Sequence, residues 1–172
     1  KTATSTVAIT VSAVNDAPVA VADTASIGEA GGIANGTPGA ALATTTSGVT
    51  ALNVLANDTD VDTATDGQTL TITNISNAQH GTVAWETQPD GSQYIGFTPE
   101  ANYFGVASYR YTVSDGNGGN AVGTVVVNLA EVNDTPLAVD DSLSNTDEDT
   151  ALRISFESLL GNDTDADSHN SQ

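Results

Sequence analysis

Apolar and polar residues alternate along short stretches of this chain. The run "YRYTV" at 109–113 puts Tyr109, Tyr111 and Val113 on one face of an extended segment, because strand side chains point alternately to opposite sides. Comparable runs rich in Val, Ile, Thr and Tyr predict strands at 19–27, 49–55, 70–75, 82–86, 94–98, 109–113 and 122–129. The fourth and fifth are joined through "PDG", a hairpin turn signal. Long helical periodicity is absent, and "FESLL" at 156–160 is the one helix-like scrap. Seven short strands separated by turn residues predict an antiparallel β-sandwich.

The pattern then repeats. "VNDAPVAVADTAS" at 14–26 returns as "VNDTPLAVDDSLS" at 132–144, with Asp16 and Asp134 separated by 134 − 16 = 118 residues. The preceding runs also match, "VAITVSA" at 7–13 and "VVVNLAE" at 125–131. The acidic hexads "NDTDVD" and "NDTDAD" are 163 − 58 = 105 residues apart, so the first copy carries an insertion of 118 − 105 = 13 residues. The Gly/Ala/Thr-rich stretch 31–48 is its expected place, read as a loop. Internal repeats of this kind indicate tandem modules. The chain divides into 1–14, the last strand of a preceding repeat; 15–133, a complete repeat; and 134–172, the N-terminal part of the next. About 118 residues suits an immunoglobulin-like sandwich.

Charge changes the picture. The 172 residues hold 22 acidic side chains against three basic ones, Lys1, Arg110 and Arg153, for a net charge of −19. Phosphate neutralisation needs Lys and Arg, so nucleic acid is excluded as a partner. The same shortage argues against anionic membrane surfaces, and no stretch of 18 apolar residues predicts membrane insertion. Cations are the favoured partners. Cysteine is absent, which removes disulfide and thiolate chemistry.

Topology gathers the acids. In a seven-stranded Greek-key sandwich the loop after the second strand, the loop between the last two strands and the incoming chain share one end. Those segments carry Asp58, Asp60 and Asp62; Asp115 in "SDGNGGN"; and Asn15 with Asp16. Like charges ~5 Å apart repel by roughly 3 kcal/mol per pair at an effective dielectric of ~20, and a divalent cation turns that repulsion into binding. Calcium fits best, since it takes six to eight oxygen ligands in flexible geometry, whereas magnesium keeps its waters. Zinc would want His or Cys, and only His80 and His169 are present.

The motifs "LANDTDVD", "HGTV", "GFTPEANYFG", "SYRYTVSDGNGG" and "VNDTP" together resemble the bacterial cadherin-like repeats of large RTX-type and VCBS-type surface adhesins, over 15–136. The resemblance implies an all-β, seven-stranded antiparallel Greek-key β-sandwich, cadherin- or immunoglobulin-like, in tandem. It implies Ca²⁺ between consecutive repeats, and therefore neighbouring repeats as partners. Carried over, the ligands are Asn15, Asp16, Asp60, Asp62 and Asp115 at the leading junction. Asn133, Asp134, Asp165 and Asp167 serve the following junction, with Glu29 from the far end of the first strand. Glu100 in "TPEAN" falls near the family's acidic motif, without that motif's Asp and Arg. Ala17 and Thr135 stand where cadherin linkers have a second Asn, which implies fewer or weaker ions per junction.

Other features have plainer readings. Trp85 shares a strand face with Val83, so core packing is expected rather than sugar stacking. His80 reads as a surface residue beside Gly81. The glycosylation pattern at Asn57 and Asn133 coincides with the acidic loops and is taken as accidental. No triad or paired catalytic carboxylates in a cleft can be identified, so the chain is read as non-enzymatic. The leading expectation is an extracellular or bacterial cell-surface spacer whose junctions stiffen with Ca²⁺, supporting cell adhesion or biofilm formation. The alternative is a module for polysaccharide or a partner protein on the same scaffold, and fold alone does not separate them.

Overall fold

A computed structural model describes residues 1–29, 32–36, 49–63, 67–87, 91, 93–143, 145–165 and 167. Eight strands are found among them: β1 (Asp23–Gly28), β2 (Gly32–Gly36), β3 (Val49–Leu52), β4 (Thr71–Gln79), β5 (Gly81–Thr87), β6 (Gln93–Pro99), β7 (Gly105–Ser114) and β8 (Asn120–Ala130). Two four-stranded sheets result, in the orders β1-β8-β7-β4 and β3-β2-β6-β5. A sandwich was expected, and a sandwich is what forms.

Its inner face follows from the period of two. On β7 the buried residues are Ala107, Tyr109, Tyr111 and Val113; on β8 they are Val125, Val127 and Leu129. The facing sheet contributes Ile95 and Phe97 from β6, and Phe97 stacks on Tyr109 with ring centroids 5.7 Å apart. Removing each such side chain from water contributes about 1.5–3 kcal/mol. Tyr111 lies opposite Gly123 on β8, and a Cβ at Gly123 would come 2.2 Å from the Tyr111 ring, so the phenol passes where only glycine leaves room.

Several details depart from expectation. Gly32–Gly36 pairs with both β3 and β6, inside the stretch read as a loop. The remainder of that insertion, 37–48, lies outside the described residues, as do Pro89 and Asp90 of the hairpin turn. The sheets are not purely antiparallel, because β1 runs parallel to β8 and β2 to β3. The first strand starts at Asp23, and Val19 makes only an isolated bridge to Thr59. The third ends at Leu52, while Val54 and Leu55 reach the core from the following turn. Trp85 does lie opposite buried Ile95, but it is 38% exposed, because β5 is an edge strand. The helix-like scrap is a short helix, α1 (Phe156–Leu160), capped by the Ser155 hydroxyl accepting from Ser158 N.

Candidate metal centre

Strand order brings the acidic segments together at two poles. At the first pole, the β3–β4 connection supplies Asp58, Asp60, Asp62 and Gln68, the β7–β8 loop supplies Asp115, and the chain entering β1 supplies Asn15 and Asp16. Asp60, Asp62 and Asp115 are all buried. Backbone donors hold them. Asp16 N donates to Asp62 Oδ2 at 2.7 Å, and Asp62 N donates to Asp60 Oδ1 at 2.8 Å. Asn117 N and Gly119 N donate to Asp115 Oδ1 at 2.7 and 3.0 Å. A Cβ at Gly119 would lie 2.1 Å from Asp115 Oδ2, so the carboxylate nests against bare backbone. Asn15 Nδ2 donates to Asp115 Oδ2 at 2.8 Å, and Asn15 Oδ1 accepts from Gln68 Nε2 at 2.7 Å. The Asn15 amide, helped by these backbone N–H groups, holds the Asp115 carboxyl below its ordinary range despite burial.

Not every aspartate of "NDTDVD" joins that group. Asp58 turns inward, accepting from Val21 N at 2.7 Å, with both oxygens 3.1 Å from the Tyr111 hydroxyl. Asp23 Oδ2 lies 3.3 Å from the same hydroxyl. Burial, the chief cause, pushes Asp23 up to about 6, with the charge of Asp58 adding to it and the Tyr111 bond opposing it. Burial likewise raises Asp58, and burial with the two adjacent acids raises the Tyr111 phenol. Tyr111 falls on the strand face that the alternation predicts, but its contact with Asp23 and Asp58 is not visible in the sequence, although Asp23, Ala25 and Ile27 alternate onto the core face in β1.

The second pole repeats the first. Asp134 N donates to Asp167 Oδ2 at 2.6 Å, and Asp167 N to Asp165 Oδ1 at 2.9 Å. Asn133 Nδ2 reaches Asp134 O at 2.8 Å, as Asn15 Nδ2 reaches Asp16 O at 3.1 Å. Val139 N donates to Asp163 Oδ1, matching Val21 N with Asp58, and the Leu137–Thr164 bridge matches Val19–Thr59. A carboxylate from the completed sandwich joins in here. Glu29, buried just past β1, accepts from Val132 N at 2.8 Å through Oε1. One carboxylate oxygen each from Glu29, Asp134 and Asp167 lie within 4.8 Å of one another. Glu100, at the end of β6, instead sits 3.6 Å from His80, whose ring stacks on Tyr103 at 3.8 Å.

The donor set suits a hard cation. Every side-chain group in the two clusters offers oxygen, and Asp60 Oδ2 is buried without any hydrogen-bond partner. A carboxylate oxygen sealed from water without a donor is costly. Neither cluster contains histidine.

The sequence pattern of the bacterial Ig domain family matches residues 15–128. Among solved structures, the chain is similar to protocadherin gamma C5 EC1-3 at 17% identity and a TM-score of 0.37, covering 78% of this chain and 41% of that one. It is also similar to protocadherin gamma B7 extracellular cadherin domains 1-4, at 14% identity and a TM-score of 0.26, covering 73% and 28%. The chain therefore spans less than half the length of either protocadherin chain. No curated protein matches it.

Proposed function

The chain belongs to the bacterial Ig domain family, and from that premise we propose that it is a non-catalytic, calcium-binding spacer from the extracellular part of an adhesin. Its work would be to hold successive repeats in line and so support cell adhesion or biofilm formation. The observation that carries this reading is the approach of Glu29, Asp134 and Asp167. Glu29 belongs to the sandwich, Asp134 to the linker, and Asp167 to the segment that repeats the start of the sandwich. Three carboxylates this close repel by roughly 3 kcal/mol per pair at an effective dielectric of ~20.

The repeat boundaries at 1–14, 15–133 and 134–172 belong to the same proposal. Exposed Val7, Ile9 and Val11 stand 118 residues before Val125, Val127 and Leu129, which are core residues of β8. The matching hydrogen bonds at the two poles support the division at the other end. At each junction the linker's aspartate docks through its backbone on the loop that follows: Asp16 N on Asp62, which Asp60 holds, and Asp134 N on Asp167, which Asp165 holds. Asp115 closes the first pole, and Glu29 reaches across at the second. A bound Ca²⁺ supplies the positive charge that offsets these acids. The proposed set leaves out Glu100, whose carboxylate lies 3.6 Å from His80. No helix among the described residues is long and apolar enough to cross a membrane.

The binding-module alternative finds less support. Trp85 and Phe104 are each exposed, but Trp85 lies four residues along β5 from Gly81, about 13 Å, whereas Phe104 precedes β7 at the opposite pole. Two aromatics set this far apart do not make one stacking platform.

Calorimetric titration with calcium tests the spacer reading. The chain is expected to bind at roughly 0.1–1 mM, the range of extracellular modules. Asp60→Ala with Asp62→Ala should remove binding at the first pole, and Asp134→Asn with Asp167→Asn at the second. Unchanged stoichiometry in both double variants would overturn the assignment.

A further inference from the structure

We propose that Gln68 is an oxygen ligand of the calcium site at the first pole, an inference that rests on the calcium reading and adds a residue to it. Gln68 lies in the β3–β4 connection, and its Nε2 donates to Asn15 Oδ1 at 2.7 Å. Asn15 Nδ2 in turn donates to Asp115 Oδ2 at 2.8 Å. This chain of bonds fixes both amides. Turning Asn15 over would set its oxygen against the Asp115 carboxylate, and turning Gln68 over would set oxygen against oxygen.

The forced orientation leaves Gln68 Oε1 sealed from solvent with no donor. Asp60 Oδ2 is in the same condition, on a side chain only 8% exposed. The sole other buried side-chain atom without a partner among the described residues is the Tyr109 hydroxyl, in the sandwich core. Two orphaned oxygens thus occur in one loop, in a chain with three Lys and Arg residues in all. Both belong to one hydrogen-bonded group: Asp60 holds Asp62, Asp62 holds Asp16 N, and the adjoining Asn15 holds Gln68.

A neutral amide oxygen has a specific use here. Calcium takes amide carbonyls along with carboxylates and accepts high coordination numbers. Gln68 adds coordination without adding charge to a pole already holding Asp16, Asp60, Asp62 and Asp115. An extra ligand in an irregular shell also favours calcium over magnesium, which demands six-coordinate regularity.

Terbium luminescence tests this on the full chain, with the second pole silenced by Asp134→Asn and Asp167→Asn. Lifetimes in H₂O and D₂O count the waters on the bound ion. Gln68→Ala should raise that count by one and weaken calcium binding by roughly tenfold. Gln68→Glu keeps an oxygen but loses the donor to Asn15, and it should leave the water count at the parent value. An unchanged count and affinity in Gln68→Ala would overturn the ligand assignment alone. So would Gln68→Glu gaining a water like Gln68→Ala, since Gln68 would then act only through its bond to Asn15. A parent chain that binds neither terbium nor calcium would overturn the calcium reading, and this inference with it.

Discussion

At the scale of single residues, the Tyr111 hydroxyl is the part most shared. It lies within 3.3 Å of Asp23, Asp58 and the carbonyls of Val21 and Val54, yet has one proton to give. Tyr111→Phe removes that proton from a buried group of acceptors, and should cost about 1–3 kcal/mol in urea unfolding. Asp23 makes a separate prediction. Its carboxyl is raised from 3.8 to about 6 on folding, so the fold favours the neutral form. The stability that form contributes is present below about pH 4 and is lost as pH rises through about 6. Compared with Asp23→Asn in EDTA, the parent chain should lose stability across that window and then level off. A difference that stays flat from pH 4 to 7 would contradict this account of Asp23. The inward position of Asp23 was legible, since it opens the alternation with Ala25 and Ile27. That of Asp58 was not. Asp58, Asp60 and Asp62 lie in a turn, where a spacing of two does not fix a common face, and the Tyr111 partner is 53 residues away.

The strands were readable wherever side chains decide them. β7 and β8 alternate strictly because one face is core, and their buried residues are the ones the pattern implies. β2 was not readable. "GIANG" carries glycines at both ends, and its strand character comes from backbone pairing with β6, a tertiary event. The acidic poles were legible for the same reason as β7. Once strand order is known, loops on one end must meet, and Asn15, Asp62 and Asp115 do. Gln68 left no such signal, because a lone glutamine in a loop has no pattern around it. At this scale Gly123 is the sensitive position. Gly123→Ala drives a Cβ into the Tyr111 ring and should destabilise the sandwich by about 1–3 kcal/mol. Val122→Ala next to it, on the exposed face, should change stability by no more than about 0.5 kcal/mol. Equal effects of the two in chemical denaturation would show that the close approach does not constrain the sheet.

For the whole molecule, the proposed spacer role would tie stability and shape to a cation through the net charge of −19 and the clustering of acids at the poles. Binding to the folded state alone adds about 2.7 kcal/mol at a hundredfold excess over Kd. The melting temperature should therefore rise by about 5–10 °C between EDTA and saturating calcium. Pro18 and Pro136 restrict the chain just after each linker, which leaves the acids at the junction as the adjustable part. The spacer mechanism turns on the angle between repeats, and small-angle scattering on a chain of two complete repeats measures it. In millimolar calcium the maximum dimension should approach the summed length of two sandwiches. In EDTA the distribution should be broader and shorter on average. Identical distributions in both buffers, with calcium binding intact, would contradict the spacer mechanism.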